Sequence, residues 1–261
     1  NRVIFRPMPG WVLYDNDYDN GEMRLFAYDC GDERLINAFK TGGSLHLVIA
    51  RELWEDQLPA DDEAAKKTDM YRWTKNGNFS LIYGAGEAKA DATYHIPGAY
   101  RKLRNRFDRI DQFINRMYAS VERYGKVDTL GGARSYPLGV SRYEPHKAAN
   151  YRVQGSLGLI MNHAMVACDK YLEEINDGDP DEPIGRCLLQ VHDSLIFAFR
   201  EDSDHETYAR NCSRLMSQAA NDILAATPGI DMDALPTIAI PSSIDQILPG
   251  MSWAKGKALS L

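Results

Sequence analysis

Short apolar runs separated by turn residues predict a few β-strands. Residues 12–14 form such a run after a Pro-Gly turn, and residues 188–191 and 195–199 form two more that are typical of a hairpin. Residues 237–241 are a further strand candidate. Because these runs lie near both ends of the chain, a sheet built from them would draw its strands from both ends.

Apolar residues at three- and four-residue steps predict helices through the middle of the chain. Gly84 and Gly125 follow two of these segments and are typical helix stops. The order of strand, several helices and hairpin favours an α+β fold, with a small antiparallel sheet and a separate helical lobe. The predicted helices cover residues 22–27, 44–53, 64–83, 103–121, 150–175 and 207–226.

The composition is that of a globular protein. Of the 261 residues, 44% are hydrophobic, and no apolar run approaches the ~20 residues needed to cross a membrane. The first residues lack the layout of a signal peptide, and the 4 cysteines form no C-x-x-C pair. We therefore expect a cytoplasmic chain with reduced thiols and no membrane partner.

Charge alone leaves the partner undecided. The net charge of -7 argues against a nucleic-acid partner when taken alone. The charges are partly separated along the chain, however, because basic residues concentrate at 101–106 and acidic residues at 55–63 and 177–182. A basic run is usually a solvated helix face, so DNA binding needs other support.

Two aspartates are the first candidates for catalysis. Asp17 follows the first predicted strand, and Asp193 lies at the tip of the predicted hairpin. Strand ends and hairpin tips hold carboxylates rigidly while leaving them exposed, as Mg²⁺ requires of its oxygen ligands. An Asp after a strand is ordinarily a turn residue, so only the combination favours a metal site.

A second candidate feature is a stripe along one predicted helix. Arg72, Lys75, Phe79 and Tyr83 are three, four and four residues apart, which places them on one helix face. The two aromatic residues alone are compatible with core packing. Two cations on the same face are unusual for a core and favour an anionic ligand.

Four short motifs span most of the chain. Residues 17–24 read D-Y-D-N-G-E-M-R, and a K-x-x-x-F-x-x-x-Y-G pattern begins at Lys75. An N-x-x-V-Q-G pattern begins at Asn150, and residues 190–193 read Q-V-H-D. In order and near spacing, this set resembles motifs A, B and C and the primer-template segment of family A DNA polymerases, the bacterial polymerase I type.

The resemblance implies a DNA-directed DNA polymerase, a nucleotidyltransferase that extends a primer 3′-hydroxyl along a DNA template from deoxynucleoside triphosphates. It implies two Mg²⁺ ions, for which Mn²⁺ can substitute, held by Asp17, Asp193 and the backbone carbonyl of Tyr18. Lys75 is implied to protonate departing pyrophosphate, and Glu22 to exclude ribonucleotides. The implied nucleotide contacts are Glu22, His46, Arg72, Lys75, Phe79 and Tyr83. The implied primer-template contacts are Arg134, Asn150, Gln154, Gln190 and His192.

The resemblance also implies the palm and fingers of a right-hand polymerase. The palm would comprise residues 1–23 and 151–261, with the motif C hairpin at 188–199, and the fingers residues 24–150, with the motif B helix at 64–84. No segment resembles the family's thumb or exonuclease. We therefore expect the rest of the polymerase to be supplied in cis or by a separate chain, in the cytoplasm of a bacterial or phage-infected cell.

Several positions depart from the family pattern. Tyr71 stands where the family has Arg, Ser44 where an acid is common, and Ser194 where Glu commonly follows the motif C Asp. Residues 129–135 retain one Arg of an Arg-rich segment. These departures are compatible with a divergent, viral member of the family.

Two other functions are weighed against synthesis. A DNA-binding remnant that is catalytically weak or silent would not need both Asp17 and Asp193, so their presence argues against it. A split polymerase that needs a partner chain is a variant of the main hypothesis. The ordered motifs also argue against the hypothesis that the chain is an acidic protein of unrelated function.

Overall fold

The computed structural model describes residues 2–41, 44–82, 85–107, 109–132, 135–137, 146–177 and 181–259. The chain divides into two compact units. The first, which we call the sheet unit, comprises Asn1–Gly21, Leu157–Ala226 and Thr237–Leu261. The second, the helical unit, comprises Glu22–Ser156 and Thr227–Pro236.

The described residues form seven strands and ten α-helices. The strands are β1 (Trp11–Tyr18), β2 (Lys126–Asp128), β3 (Ser135–Pro137), β4 (Gly185–Val191), β5 (Ser194–Arg200), β6 (Ser242–Ile247) and β7 (Lys257–Leu259). The helices are α1 (Gly21–Cys30), α2 (Glu33–Lys40), α3 (Leu45–Trp54), α4 (Asp62–Lys66), α5 (Asp69–Ile82), α6 (Glu87–Tyr94), α7 (Ala99–Arg106), α8 (Arg109–Tyr124), α9 (His146–Ile175) and α10 (His205–Ala225).

The sheet unit is organised around a 5-stranded sheet in the order β4-β5-β1-β6-β7. All neighbouring strands are antiparallel. The central strand β1 places Asp17 opposite Ser194 of β5 and opposite Ser243 of β6. The predicted α+β class, with a small antiparallel sheet drawn from both ends of the chain, is confirmed.

Side chains alternate along a strand, so neighbouring residues of β1 contact different surroundings on its two faces. On one face, the Asn16 amide donates to the Ala209 carbonyl of α10 at 3.0 Å, and the Tyr18 hydroxyl donates to the Met216 carbonyl at 2.5 Å. The opposite face carries Asp15 and Asp17, next to an apolar cluster. That cluster contains Leu13, Ile196, Ala198, Ile247 and Trp253.

The helical unit has its own core of aromatic contacts. Phe26 of α1 meets Phe113 of α8 edge to face, with ring centroids 5.3 Å apart. The Trp54 indole of α3 donates to the buried Thr74 hydroxyl of α5 at 3.1 Å. These contacts join helices far apart in sequence, so tertiary packing stabilises the short helices of this unit.

The prediction of one long helix over residues 64–83 is wrong near its start, where the structure has two helices. Helix α4 ends at Lys66 and α5 begins at Asp69. The Thr68 hydroxyl accepts a hydrogen bond from the Tyr71 N–H at 3.2 Å, which is N-cap geometry, and Asp69 adds a favourable charge in the first turn. A new helix therefore starts at this point. Tyr83 and Gly84 lie outside the described residues.

Two other boundaries differ from expectation. The helix expected over 103–121 is divided into α7 and α8, because Phe107 has non-helical dihedrals and a buried ring. The strand expected at 237–241 is wrong. The Asn221 side chain of α10 hydrogen-bonds to the backbone of that segment, because it donates to the Thr237 carbonyl and accepts from the Ala239 N–H. Strand β6 begins only at Ser242.

None of the helices described is both long enough and apolar enough to span a bilayer.

Candidate active site

Two carboxylates meet at one end of the central strands of the sheet unit. Asp17 is the penultimate residue of β1, and Asp193 lies in the tight connection between β4 and β5. The Tyr18 N–H donates to the Asp193 carbonyl at 3.1 Å, which joins the connection to β1. His192 has a φ of 57°, a left-handed conformation that non-glycine residues adopt at some cost. The turn therefore holds Asp193 beside Asp17.

The electrostatics of this pair favour a bound cation. Burial, and next the neighbouring Asp193 and Asp15 carboxylates, raise the pKa of Asp17 to about 7. Two close carboxylates resist being charged together unless a cation neutralises them. Hard carboxylate oxygens on a rigid strand end suit Mg²⁺. Among the described residues, no group of three or more His, Cys, Asp or Glu side chains could hold a metal ion.

Asp15 is a site residue that the sequence motifs did not single out. It lies two positions before Asp17 on the same strand face, and it is 4% exposed. Its Oδ1 accepts from the Ser194 hydroxyl at 2.6 Å and its Oδ2 from the Trp253 indole at 2.5 Å. Had β1 been predicted to continue through Asp17, the two-residue spacing would have placed both acids together.

In the helical unit, His46 belongs to a buried hydrogen-bonded chain. The Tyr94 hydroxyl donates to Asn78 Oδ1 at 2.9 Å, and Asn78 Nδ2 lies 2.9 Å from His46 Nδ1. An amide nitrogen only donates, so Nδ1 is the acceptor and the neutral ring carries its proton on Nε2. Gly77 makes the contact possible because a Cβ at this position would lie 2.3 Å from the Tyr94 ring.

The predicted stripe on α5 divides into a buried and an exposed part. Phe79 is half-buried and lies beside His46, with ring centroids 5.8 Å apart. Arg72 and Lys75 are exposed, and Arg72 pairs with Asp69 at 2.9 Å. The helix thus exposes two cations to solvent and places an aromatic ring beside His46. Tyr83, the fourth member of the stripe, lies outside the described residues.

Comparison with known proteins identifies the family. The model of DNA polymerase family A matches residues 1–230. The chain belongs to DNA polymerase family A. It is 30% identical over 235 residues to DNA polymerase I of Pseudomonas aeruginosa, covering 84% of this chain and 24% of that protein. It is 31% identical over 209 residues to the thermostable DNA polymerase I of Thermus aquaticus, covering 75% of this chain and 23% of that protein.

A solved structure shows the same fold. The POL domain of Pol1 from M. smegmatis, in complex with DNA primer-template and dNTP, aligns with a TM-score of 0.74 and 23% identity, covering 98% of this chain and 42% of that chain. This family A chain therefore has the polymerase-domain fold, and it spans about a quarter of the length of the two polymerase I relatives above.

The residues predicted to contact primer-template are distributed over both units. In the sheet unit, Gln190 and His192 are exposed, and Gln190 Nε2 donates to the His192 carbonyl at 3.3 Å. In the helical unit, Gln154 is exposed and Asn150 is partly exposed on α9. Arg134 lies outside the described residues. Exposed polar side chains on β4, on the β4–β5 turn and on α9 are suited to contacts with phosphates and base edges.

Two of the family departures contact each other. The Ser44 and Tyr71 hydroxyls lie 3.3 Å apart, at the positions where the family has a common acid and an Arg. A neutral hydroxyl pair thus stands where the family pattern has opposite charges. Glu22, the predicted sugar gate, is partly exposed in the first turn of α1.

Proposed function

We propose that this family A chain contributes the catalytic and nucleotide-gripping parts of a template-directed DNA polymerase. It would add deoxynucleotides to a primer 3′-hydroxyl and release pyrophosphate. The observation that carries the proposal is the Asp17–Asp193 pair, two neighbouring carboxylates whose burial and proximity raise the pKa of Asp17. The partners would be primer-template DNA, deoxynucleoside triphosphate and the remainder of the polymerase.

Asp17, Asp193 and the Tyr18 carbonyl would hold two Mg²⁺ ions, which supply charge neutralisation and activation of the primer hydroxyl when bound. The protein's own task is then positioning. The short β4–β5 turn and the Tyr18–Asp193 backbone bond fix the spacing of the two carboxylates before substrate arrives.

The helical unit would bind the nucleotide. The exposed cations Arg72 and Lys75 would meet the triphosphate, and Phe79 would lie against the sugar and base. Lys75 would also donate a proton to departing pyrophosphate. His46 is 2% exposed, so it would have to act through its Nε2 proton at the end of the Tyr94–Asn78 chain after a local rearrangement.

The direct test is primer extension with Mg²⁺, one deoxynucleotide at a time, on templates that differ at the first unpaired base. Extension only by the complementary nucleotide supports the proposal. DNA binding without extension would instead favour a silent remnant, and extension only after addition of the remaining polymerase segments would identify a split enzyme.

Glu22→Ala is expected to admit ribonucleotides. If the carboxylate lies against the position of a 2′-hydroxyl, its removal should raise ribonucleotide incorporation relative to deoxynucleotide incorporation by about 30-fold. The measurement is the ratio of the two kcat/KM values. Glu33→Ala is the matched control, because Glu33 is also an acid in the first turn of a helix. An unchanged ratio in Glu22→Ala would contradict the gate assignment.

Lys75→Ala is expected to slow nucleotide addition by about 100-fold, because a cation and proton donor at the triphosphate are removed. Single-turnover extension measures this rate, and Lys75→Arg should recover the charge but less of the proton transfer. Lys89→Ala, an exposed lysine of α6, is the control. Equal rates for Lys75→Ala and Lys89→Ala would remove Lys75 from the mechanism.

A further inference from the structure

The active-site face of the sheet unit carries acidic residues in addition to Asp17 and Asp193. Asp15 lies opposite Asp245 of β6 in the strand register, and Asp17 follows two residues later, about 7 Å along β1. Arg2 is the nearby cation, with Nη1 3.5 Å from Asp15 Oδ2. A buried carboxylate in this position is costly unless something offsets its charge.

The hydrogen bonds to Asp15 hold its side chain in one position. Each oxygen accepts one bond, from the Ser194 hydroxyl and from the Trp253 indole. Both donors are themselves buried, at 1% and 7% exposure.

The donors connect Asp15 to the catalytic turn. Ser194 is the first residue of β5 and follows Asp193 directly. Its backbone also pairs with Asp17 across the sheet. Asp15 therefore fixes the position of Ser194, which follows Asp193 in the chain and lies opposite Asp17 in the sheet.

We propose that Asp15 is a positioning residue of the active site, which fixes Ser194 beside Asp193 and places a third negative charge behind the Asp17–Asp193 pair. The charge strengthens cation binding at the pair without Asp15 itself being a ligand. This role rests on the proposed function of the pair. It also gives a reason for the serine at position 194, because the Ser194 hydroxyl on β5 donates to the Asp15 carboxylate on β1.

The test measures Mn²⁺ binding by the full chain, using electron paramagnetic resonance of the free ion. Asp15→Asn keeps the shape and removes the charge, so we expect Mn²⁺ to bind about tenfold more weakly. Trp253→Phe removes one donor and keeps the charge, so we expect a change of about twofold or less. Thermal melting of each variant establishes that it is folded.

An exchange variant separates a charge effect from simple loss of packing. Asp15→Ser with Ser194→Asp moves the carboxylate to the neighbouring strand and the hydroxyl to β1. We expect this double variant to bind Mn²⁺ within about threefold of wild type, well above Asp15→Asn. If Asp15→Asn does not fold, the exchange variant alone decides, and a folded exchange variant with weak Mn²⁺ binding would overturn the proposal.

The outcome is distinguishable from failure of the proposed function. Wild-type Mn²⁺ affinity in folded Asp15→Asn would overturn the role of Asp15 even if the chain extends primers. A wild-type chain that binds Mn²⁺ through Asp17 and Asp193 but extends no primer, even after addition of the remaining polymerase segments, would contradict polymerisation, and the comparison of Asp15 variants would still stand.

Discussion

Replacing either Asp17 or Asp193 by Asn is expected to reduce primer extension by at least about a thousandfold. Asn preserves the size of the side chain but removes the negative charge, and an amide is a poor ligand for a small divalent cation. The proposed metal site uses both carboxylates, so neither is expected to substitute for the other. Single-nucleotide extension under single-turnover conditions measures the loss.

The same variants should bind primer-template nearly as well as wild type, because the predicted DNA contacts are other side chains, on β4, on the β4–β5 turn and on α9. Fluorescence anisotropy with labelled DNA measures this binding. Asp222→Asn, which changes an exposed acid of α10, controls for the loss of one negative charge. Normal extension by either active-site variant would refute catalysis through this pair.

The sequence predicted the strand β1 but not its full length. Asp15, Asn16 and Asp17 are polar, and a polar run after apolar residues ordinarily indicates a turn. The strand continues because tertiary partners satisfy these groups. Asn16 bonds to the backbone of α10, and Asp15 bonds to residues 179 and 238 positions away. Such partners are invisible to a local pattern, so Asp15 was missed as a site residue.

The same limitation applies to the helices. Periodicity predicted helical structure on both sides of Thr68 and of Phe107, and that prediction is confirmed. It could not separate a continuous helix from two helices with similar faces. At Thr68, the Thr-Asp pair was a usable capping signal. At Phe107, the break depends on where the ring is buried, which only the packed structure defines.

The largest stability effect is expected at Asp29, whose partners the sequence did not reveal. Its carboxylate is 6% exposed and accepts two bonds from Arg152 of α9, at 2.7 Å and 3.1 Å. Arg116 of α8 adds a bond at 2.8 Å. One buried carboxylate thus ties α1 to two helices that lie 87 and 123 residues away.

Asp29→Ala should lower the free energy of unfolding by about 3 kcal/mol, because it leaves the Arg152 guanidinium, 16% exposed, without its counter-ion. Urea denaturation measures the change. Asp202→Ala is the matched control, since Asp202 forms the same two-bond pair with Arg200 but at the surface, where loss of an ion pair has little effect. Arg152 lies between Asn150 and Gln154 on α9, so Asp29→Ala should also weaken primer-template binding. Equal denaturation midpoints for the two variants would show that Asp29 does not hold the helical unit together.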